Sequence, residues 1–97
     1  MTDILVTYDI ATADNAGQRL LARVAQTCEG YGIRVQHSVF ECRLNDAKLE
    51  RLRAELLELI RPTTDSIRIY RFQGDILDST ETYGRTGPIG PGSTWIL

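Results

Sequence analysis

The sequence predicts an α+β domain in the order β-α-β-β-α-β, followed by a Gly- and Pro-rich extension. Three observations carry that expectation. Ile4-Leu5-Val6-Thr7-Tyr8 is a run of β-branched and aromatic residues that reads as a buried strand. Residues 20–28 and 49–60 each repeat apolar side chains at helical spacing. Ile67-Arg68-Ile69-Tyr70-Arg71-Phe72 alternates apolar and basic residues, the period-two pattern of a half-buried strand. With 97 residues the chain can bury one core, but it has little interior left for an elaborate site.

The elements follow in order. After the first strand, Asp14 or Asn15 caps a helix in which Leu20, Leu21, Val24, Ala25 and Cys28 recur, and Gly30 and Gly32 end it. Ile33-Arg34-Val35-Gln36 and Val39-Phe40-Glu41-Cys42-Arg43-Leu44 are two extended pieces with a reversal near His37-Ser38; one kinked strand fits the same residues. Asn45 or Asp46 caps a second helix carrying Leu49, Leu52, Leu56, Leu59 and Ile60 on one face, and Pro62 stops it. This order is the split βαβ, or ferredoxin-like, arrangement, an antiparallel sheet with both helices on one face. Its other face lacks cover, so a homodimer is expected to bury it. Residues 1–72 form the domain. Residues 73–92 are rich in Gly and Pro, and Ser93-Thr94-Trp95-Ile96-Leu97 ends the chain as an added short strand at its own or a partner's sheet edge, hence at the dimer interface.

Composition narrows the function. A net charge of −2 argues against a uniformly basic nucleic-acid binder, yet the charge is uneven. Arg19, Arg23, Arg34 and Arg43 face only Glu29 and Glu41 in their stretch, whereas Asp75, Asp78 and Glu81 dominate the end of the chain. Arginine suits two-pronged phosphate contact better than lysine, and Arg19, Arg23 and Arg34 are expected to bind nucleic-acid phosphates on one rim. The absence of 18 consecutive apolar residues argues against a membrane span, and the absence of a basic region before the first apolar run argues against a signal peptide, so a cytoplasmic protein is expected. Cys28 and Cys42 lack metal-ligand spacing and read as buried free thiols. No Walker loop, HExxH, Ser-His-Asp or GxGxxG pattern is present.

The candidate site starts from Asp9, which stands where the first strand emerges. One carboxylate there is half of a divalent-metal site, since a small hard cation takes one or two carboxylates with waters and substrate phosphates. A second copy of the chain would supply the other half. Strand end and helix start share one side of the sheet, so Asp9 and Arg19 are expected on one rim, with Arg23 a turn further on. A metal to polarise a phosphoryl group and arginines to hold its charge suit a phosphodiester. The plainer reading makes Asp9 a turn residue and the arginines a solvated face. Tyr8 fills the core or stacks on a base. His37, the only histidine, lies near the reversal; and of Val39 and Phe40 only one can face the core.

Val6-Thr7-Tyr8-Asp9-Ile10, with Gly30-Tyr31-Gly32-Ile33-Arg34-Val35-Gln36-His37-Ser38-Val39-Phe40-Glu41-Cys42, resembles the small CRISPR-associated adaptation proteins. These are the non-integrase partners in spacer acquisition, known as metal-dependent endoribonucleases. The resemblance runs on through the Leu49 to Arg61 helix and Asp65-Ser66-Ile67-Arg68-Ile69-Tyr70. It implies a ferredoxin-like homodimer in which Asp9 of each chain faces the other and holds a shared Mg²⁺. It also carries the family's nuclease-linked positions onto Tyr8, Asp9, Arg34 and Phe40, and its helix arginines onto Arg19 and Arg23. His37 takes a place that is often aromatic in the family. Two functions follow from the resemblance: a Mg²⁺-dependent endonuclease on RNA or double-stranded DNA in antiviral defence, or a DNA-binding adaptor that bridges integrase dimers without catalysis. A small-molecule-binding regulatory domain is a weaker third.

Overall fold

Strand β1 (Thr2–Asp9) buries Ile4, Val6 and Tyr8, while Leu5 and Thr7 between them stay partly exposed and Asp9 is exposed. The run expected to be wholly buried is therefore covered on one face only. In this computed structural model, which describes residues 1–84, β1 lies inside a four-stranded antiparallel sheet of order β2-β3-β1-β4. Its neighbours are β3 (Val39–Leu44) and β4 (Ser66–Arg71), and β2 (Gly32–Gln36) lies beyond β3. Val6 sits opposite Phe40 on one side and Ile69 on the other, so a row of apolar side chains crosses the sheet beneath the helices. The expected β-α-β-β-α-β order holds.

Residues 33–44 form a hairpin and not one kinked strand. A register shift between Arg34 and Gln36 inserts the extra residue that the short connection through His37-Ser38 needs. Phe40 faces the core and is fully buried; Val39 faces outward. On the helix side, α1 (Asn15–Glu29) is capped by Asp14, whose Oδ1 accepts from the Gly17 amide at 2.7 Å. Leu20, Val24, Ala25 and Cys28 enter the core. Leu21 was expected with them but stays exposed, because it stands about 100° round the helix from Leu20. Helix α2 (Asp46–Leu59) is capped by Asn45 and contributes Leu49, Leu52 and Leu56. Pro62 follows its end, as expected, since the proline ring cannot continue a helix.

Cys28 and Cys42 are free and buried, and burial pushes both thiols up to about 12, so they stay protonated. The chain beyond β4 is more ordered than its composition suggests. The Phe72 amide donates to Asp3 O at 3.0 Å, and the Ile76 amide donates to Asp3 Oδ2 at 2.8 Å. Arg43 grips the same carboxylate through Nε at 2.7 Å and Nη2 at 3.1 Å, and reaches Asp75 at 2.9 Å. That guanidinium holds the Asp3 carboxyl below the usual range against the opposing effect of burial. Ile76 is buried outside the main cluster, and a short 3₁₀ turn, Leu77–Ser79, follows. The strand expected at 93–97 lies outside the described residues.

Gly32 shows how closely β2 and β3 approach: a Cβ there would overlap the Glu41 carbonyl oxygen and the Cys42 sulfur. Backbone cannot yield as a flexible side chain can. Gly32→Ala is expected to lower stability by about 2 kcal/mol, within the usual range for overpacking. Urea unfolding of both proteins checks this; an unchanged midpoint would contradict the close approach.

Candidate functional site at the end of strand β1

Asp9, the last residue of β1, pairs with Ser66, the first residue of β4. Strand alternation puts its side chain on the open face of the sheet, the side of Leu5 and Thr7. The carboxylate is exposed, and the hydrogen bonds and ion pairs among the described residues do not engage it. The chain then turns through buried Ile10 to Ala11, which is gripped at both of its backbone polar groups. Its amide donates to Asp65 Oδ1 at 3.0 Å, and its carbonyl accepts from Arg61 Nη2 at 2.8 Å.

Asp65 is the centre of this grip. Its side chain is wholly buried, and Oδ2 accepts from the Arg61 amide at 2.8 Å and from Arg61 Nε at 3.2 Å. Desolvation pushes its carboxyl up, but the Arg61 and Ala11 amides and the Arg61 guanidinium outweigh that and hold it at about 2. Arg61 also places Nη1 3.7 Å from Asp14 Oδ1, the cap of α1. One network thus ties together the α2–β4 turn, the β1–α1 loop and the start of α1.

The other expected site residues fall elsewhere. Tyr8 and Phe40 are core residues beneath the helices, with ring centroids 6.2 Å apart and planes inclined by 26°. The Arg34 guanidinium lies 5.2 Å from the Phe40 ring centroid, within cation–π reach. Tyr8 donates through its hydroxyl to the His37 carbonyl at 3.3 Å, and burial pushes that phenol up against the opposing pull of Arg34, so it stays protonated. Arg34 Nε is buried with no acceptor among the described residues, and Nη2 lies 3.8 Å from Glu29. Tyr8, Arg34 and Phe40 therefore form one cluster on the helix side, and the sheet stands between it and Asp9.

Arg19 and Arg23 are exposed on α1. Helix α1 follows the loop after Asp9 and packs on the sheet face opposite the Asp9 side chain, with Arg19 in its second turn. Arg34 belongs further away, since its partner Glu29 ends α1 and lies about 15 Å along the helix from Arg19. His37 is exposed in the hairpin turn at the Asp9 end of the sheet, where the Ser38 carbonyl accepts from the Tyr8 amide at 3.2 Å. Asp65 and Arg61 were not foreseen. An acid ahead of a strand looks like a turn residue, and no local pattern points from residue 65 to residue 11.

Magnesium was expected at Asp9. Among the described residues no group of three or more His, Cys, Asp or Glu side chains is placed to hold a metal. A lone, uncommitted carboxylate fits a hard cation as one ligand, with water and phosphate oxygens completing the shell. One chain holds at most half of such a site.

Helices on one face of an antiparallel split βαβ sheet, with an exposed acid at the central strand's end and arginines exposed on the adjoining helix, define a small ferredoxin-like domain. The chain belongs to the CRISPR-associated Cas2 family: the profile described as CRISPR associated protein Cas2 matches residues 1–78. It is 46% identical to the CRISPR-associated endoribonuclease Cas2 1 of Moorella thermoacetica, over 84% of each chain. It is 42% identical to the CRISPR-associated endonuclease Cas2 of Halalkalibacterium halodurans, again over 84% of each. The crystal structure of Streptococcus pyogenes Cas2 at pH 6.5 superposes with a TM-score of 0.77 at 41% identity, covering 84% of this chain and 99% of that one.

The low carboxyl value of Asp65 has a sign. A group depressed in the folded state stabilises the fold above its unfolded value and loses that contribution as pH falls towards the folded one. Its contribution is therefore expected to disappear between pH 3.8 and about 2. Stability measured against pH should fall less steeply across that window in Asp65→Asn; parallel curves would assign the acid sensitivity to other groups.

Proposed function

We propose that the chain is a Mg²⁺-dependent endonuclease of CRISPR spacer acquisition and antiviral defence, cleaving phosphodiester bonds of RNA or double-stranded DNA as a homodimer. The observation that carries this is Asp9: an exposed carboxylate without a partner among the described residues, at the end of an uncovered sheet face. That face presents Leu5, Ile33, Val39 and Tyr70, none of them buried within one chain. A second copy laid on it covers these side chains and brings its own Asp9 towards the first, which completes the ligand set. The relatives named above carry endoribonuclease and endonuclease in their names, which supports the reaction class.

When bound, the cation polarises the phosphoryl group and stabilises its developing charge. The protein's own residues do the rest. Asp9 holds the cation, and Arg19 and Arg23 take the phosphates that flank the scissile bond, their guanidinium forks matching phosphate oxygens. Tyr8 and Phe40 work from beneath the sheet, seating the Arg34 guanidinium by stacking and cation–π contact. Phosphate contacts carry no sequence information, so cleavage is expected to discriminate little between sequences.

The adaptor reading, a dimer that binds DNA and an integrase without cleaving, is favoured by one observation: among the described residues a single chain offers one free acid at this rim. Among the described residues no helix is long and apolar enough to cross a membrane.

Two experiments separate the readings. Asp9→Asn is expected to remove Mg²⁺-dependent cleavage while light scattering still finds a folded dimer. Full activity in the rigorously purified variant would place the chemistry elsewhere, and a monomer in the unmodified protein would reject the two-chain site. Affinity for duplex DNA is expected to fall with salt at a log–log slope of about −0.9 per neutralised phosphate. Arg19→Ala with Arg23→Ala should flatten that slope and weaken binding evenly across sequences. If DNA binding survives in Asp9→Asn and no cleavage is found in the unmodified protein, the adaptor reading stands.

A further inference from the structure

Among the described residues no side-chain bond fixes the direction of Asp9, yet a metal ligand must be held within about half an ångström of its productive position. The restraint comes from the backbone on either side. Asp9 pairs with Ser66, and Asp65 immediately precedes Ser66. Two residues beyond Asp9, the amide and carbonyl of Ala11 are bound by Asp65 and Arg61 at 3.0 and 2.8 Å. The same Arg61 approaches Asp14, the cap of the helix that carries Arg19 and Arg23. Burying an ion pair is seldom the cheapest way to stabilise a fold, since apolar residues of equal volume often serve as well. Here a buried carboxylate and its partly exposed arginine act on the loop that joins the candidate metal ligand to the arginine helix.

We propose that Asp65 and Arg61 are positioning residues: through Ala11 they set the direction of the Asp9 carboxylate, and through Asp14 they anchor the start of the helix that carries Arg19. Neither touches the cation or the substrate. Asp65→Asn keeps the size of the side chain but turns an amide group towards one of the donors now bound. Arg61→Met keeps the stem and removes the fork that holds the Ala11 carbonyl. Each change frees the loop on the C-terminal side of Asp9 without substituting Asp9 itself. This inference rests on the metal reading of Asp9 given above.

The test is Mn²⁺ binding by the full-length chain, followed by the loss of the free-ion electron paramagnetic resonance signal, with hydrogen exchange at the Ala11 amide measured alongside. Asp9→Asn is the reference for the metal reading, and Leu49→Ala, a core truncation at the opposite end of α2, is the reference for lost stability. Loss of Mn²⁺ binding in Asp9→Asn, about tenfold weaker binding in Asp65→Asn and in Arg61→Met, faster Ala11 exchange in both, and unchanged binding in Leu49→Ala would support the proposal; the tenfold figure is the usual effect of removing a group that orients a metal ligand. Unaltered Mn²⁺ affinity in folded Asp65→Asn would overturn it. If Asp65→Asn does not fold, Arg61→Met decides by the same criterion. Equal weakening in Leu49→Ala would overturn it too, because stability and not position would then govern binding. Undiminished binding in Asp9→Asn overturns the metal reading itself, and the proposal with it.

Discussion

A strand has two sides, and in this protein nearly everything follows from which side of β1 is covered. Both helices lie against the face of Ile4, Val6 and Tyr8, so each odd-numbered residue of the strand points the other way. That single rule separates the aromatic cluster from the acid next to it in sequence. Tyr8 and Asp9 are covalent neighbours, but one is core and the other faces solvent. The sheet between them keeps Tyr8, Phe40 and Arg34 out of contact with the Asp9 side chain. Arg34 lying over a buried ring shows how such a scaffold limits the motion of a charged group that is only partly in water.

Two buried acids mark the two ends of the same strand. Asp3 lies at its start and Asp65 beside its finish; each accepts from an arginine, Asp3 also from one backbone amide and Asp65 from two. In both cases an ionised group is withdrawn from water and compensated by several donors, the condition under which such burial is tolerated. What they hold differs. Asp3 holds the chain that follows β4, whereas Asp65 holds the loop that follows β1. A sheet this small has loose ends at both rims, and the domain closes each of them with a carboxylate.

Periodicity made the fold legible. The helical spacing of Leu20, Val24 and Cys28 and of Leu49, Leu52 and Leu56 named the buried helix faces, and the alternation from Ile67 named β4. Leu21 misled because an apolar residue adjoining a helical stripe carries no mark of its own angle. Asp9 was legible as the acid at a strand end, and its separation from Tyr8 follows from alternation once the helices are known to share one face. Asp65 and Arg61 were not legible, because their partner lies fifty residues away and is a backbone, which has no residue type to read. The order in residues 73–79 was hidden for a similar reason: composition reports what a segment prefers alone, and Asp3 and Arg43 decide what it does in company.

The path of that segment has a mechanical side. From the end of β4 on the sheet's edge, the chain bonds to β1 through Asp3 and to β3 through Arg43, crossing about two strand spacings, or 10 Å. A pull on the chain beyond Ile76 therefore does not peel β4 from the edge one bond at a time. The load passes into the Asp3–Arg43 clasp and spreads across the two central strands, whose ladders resist together. Whatever grips the end of this protein is thus coupled to the strand that carries Asp9.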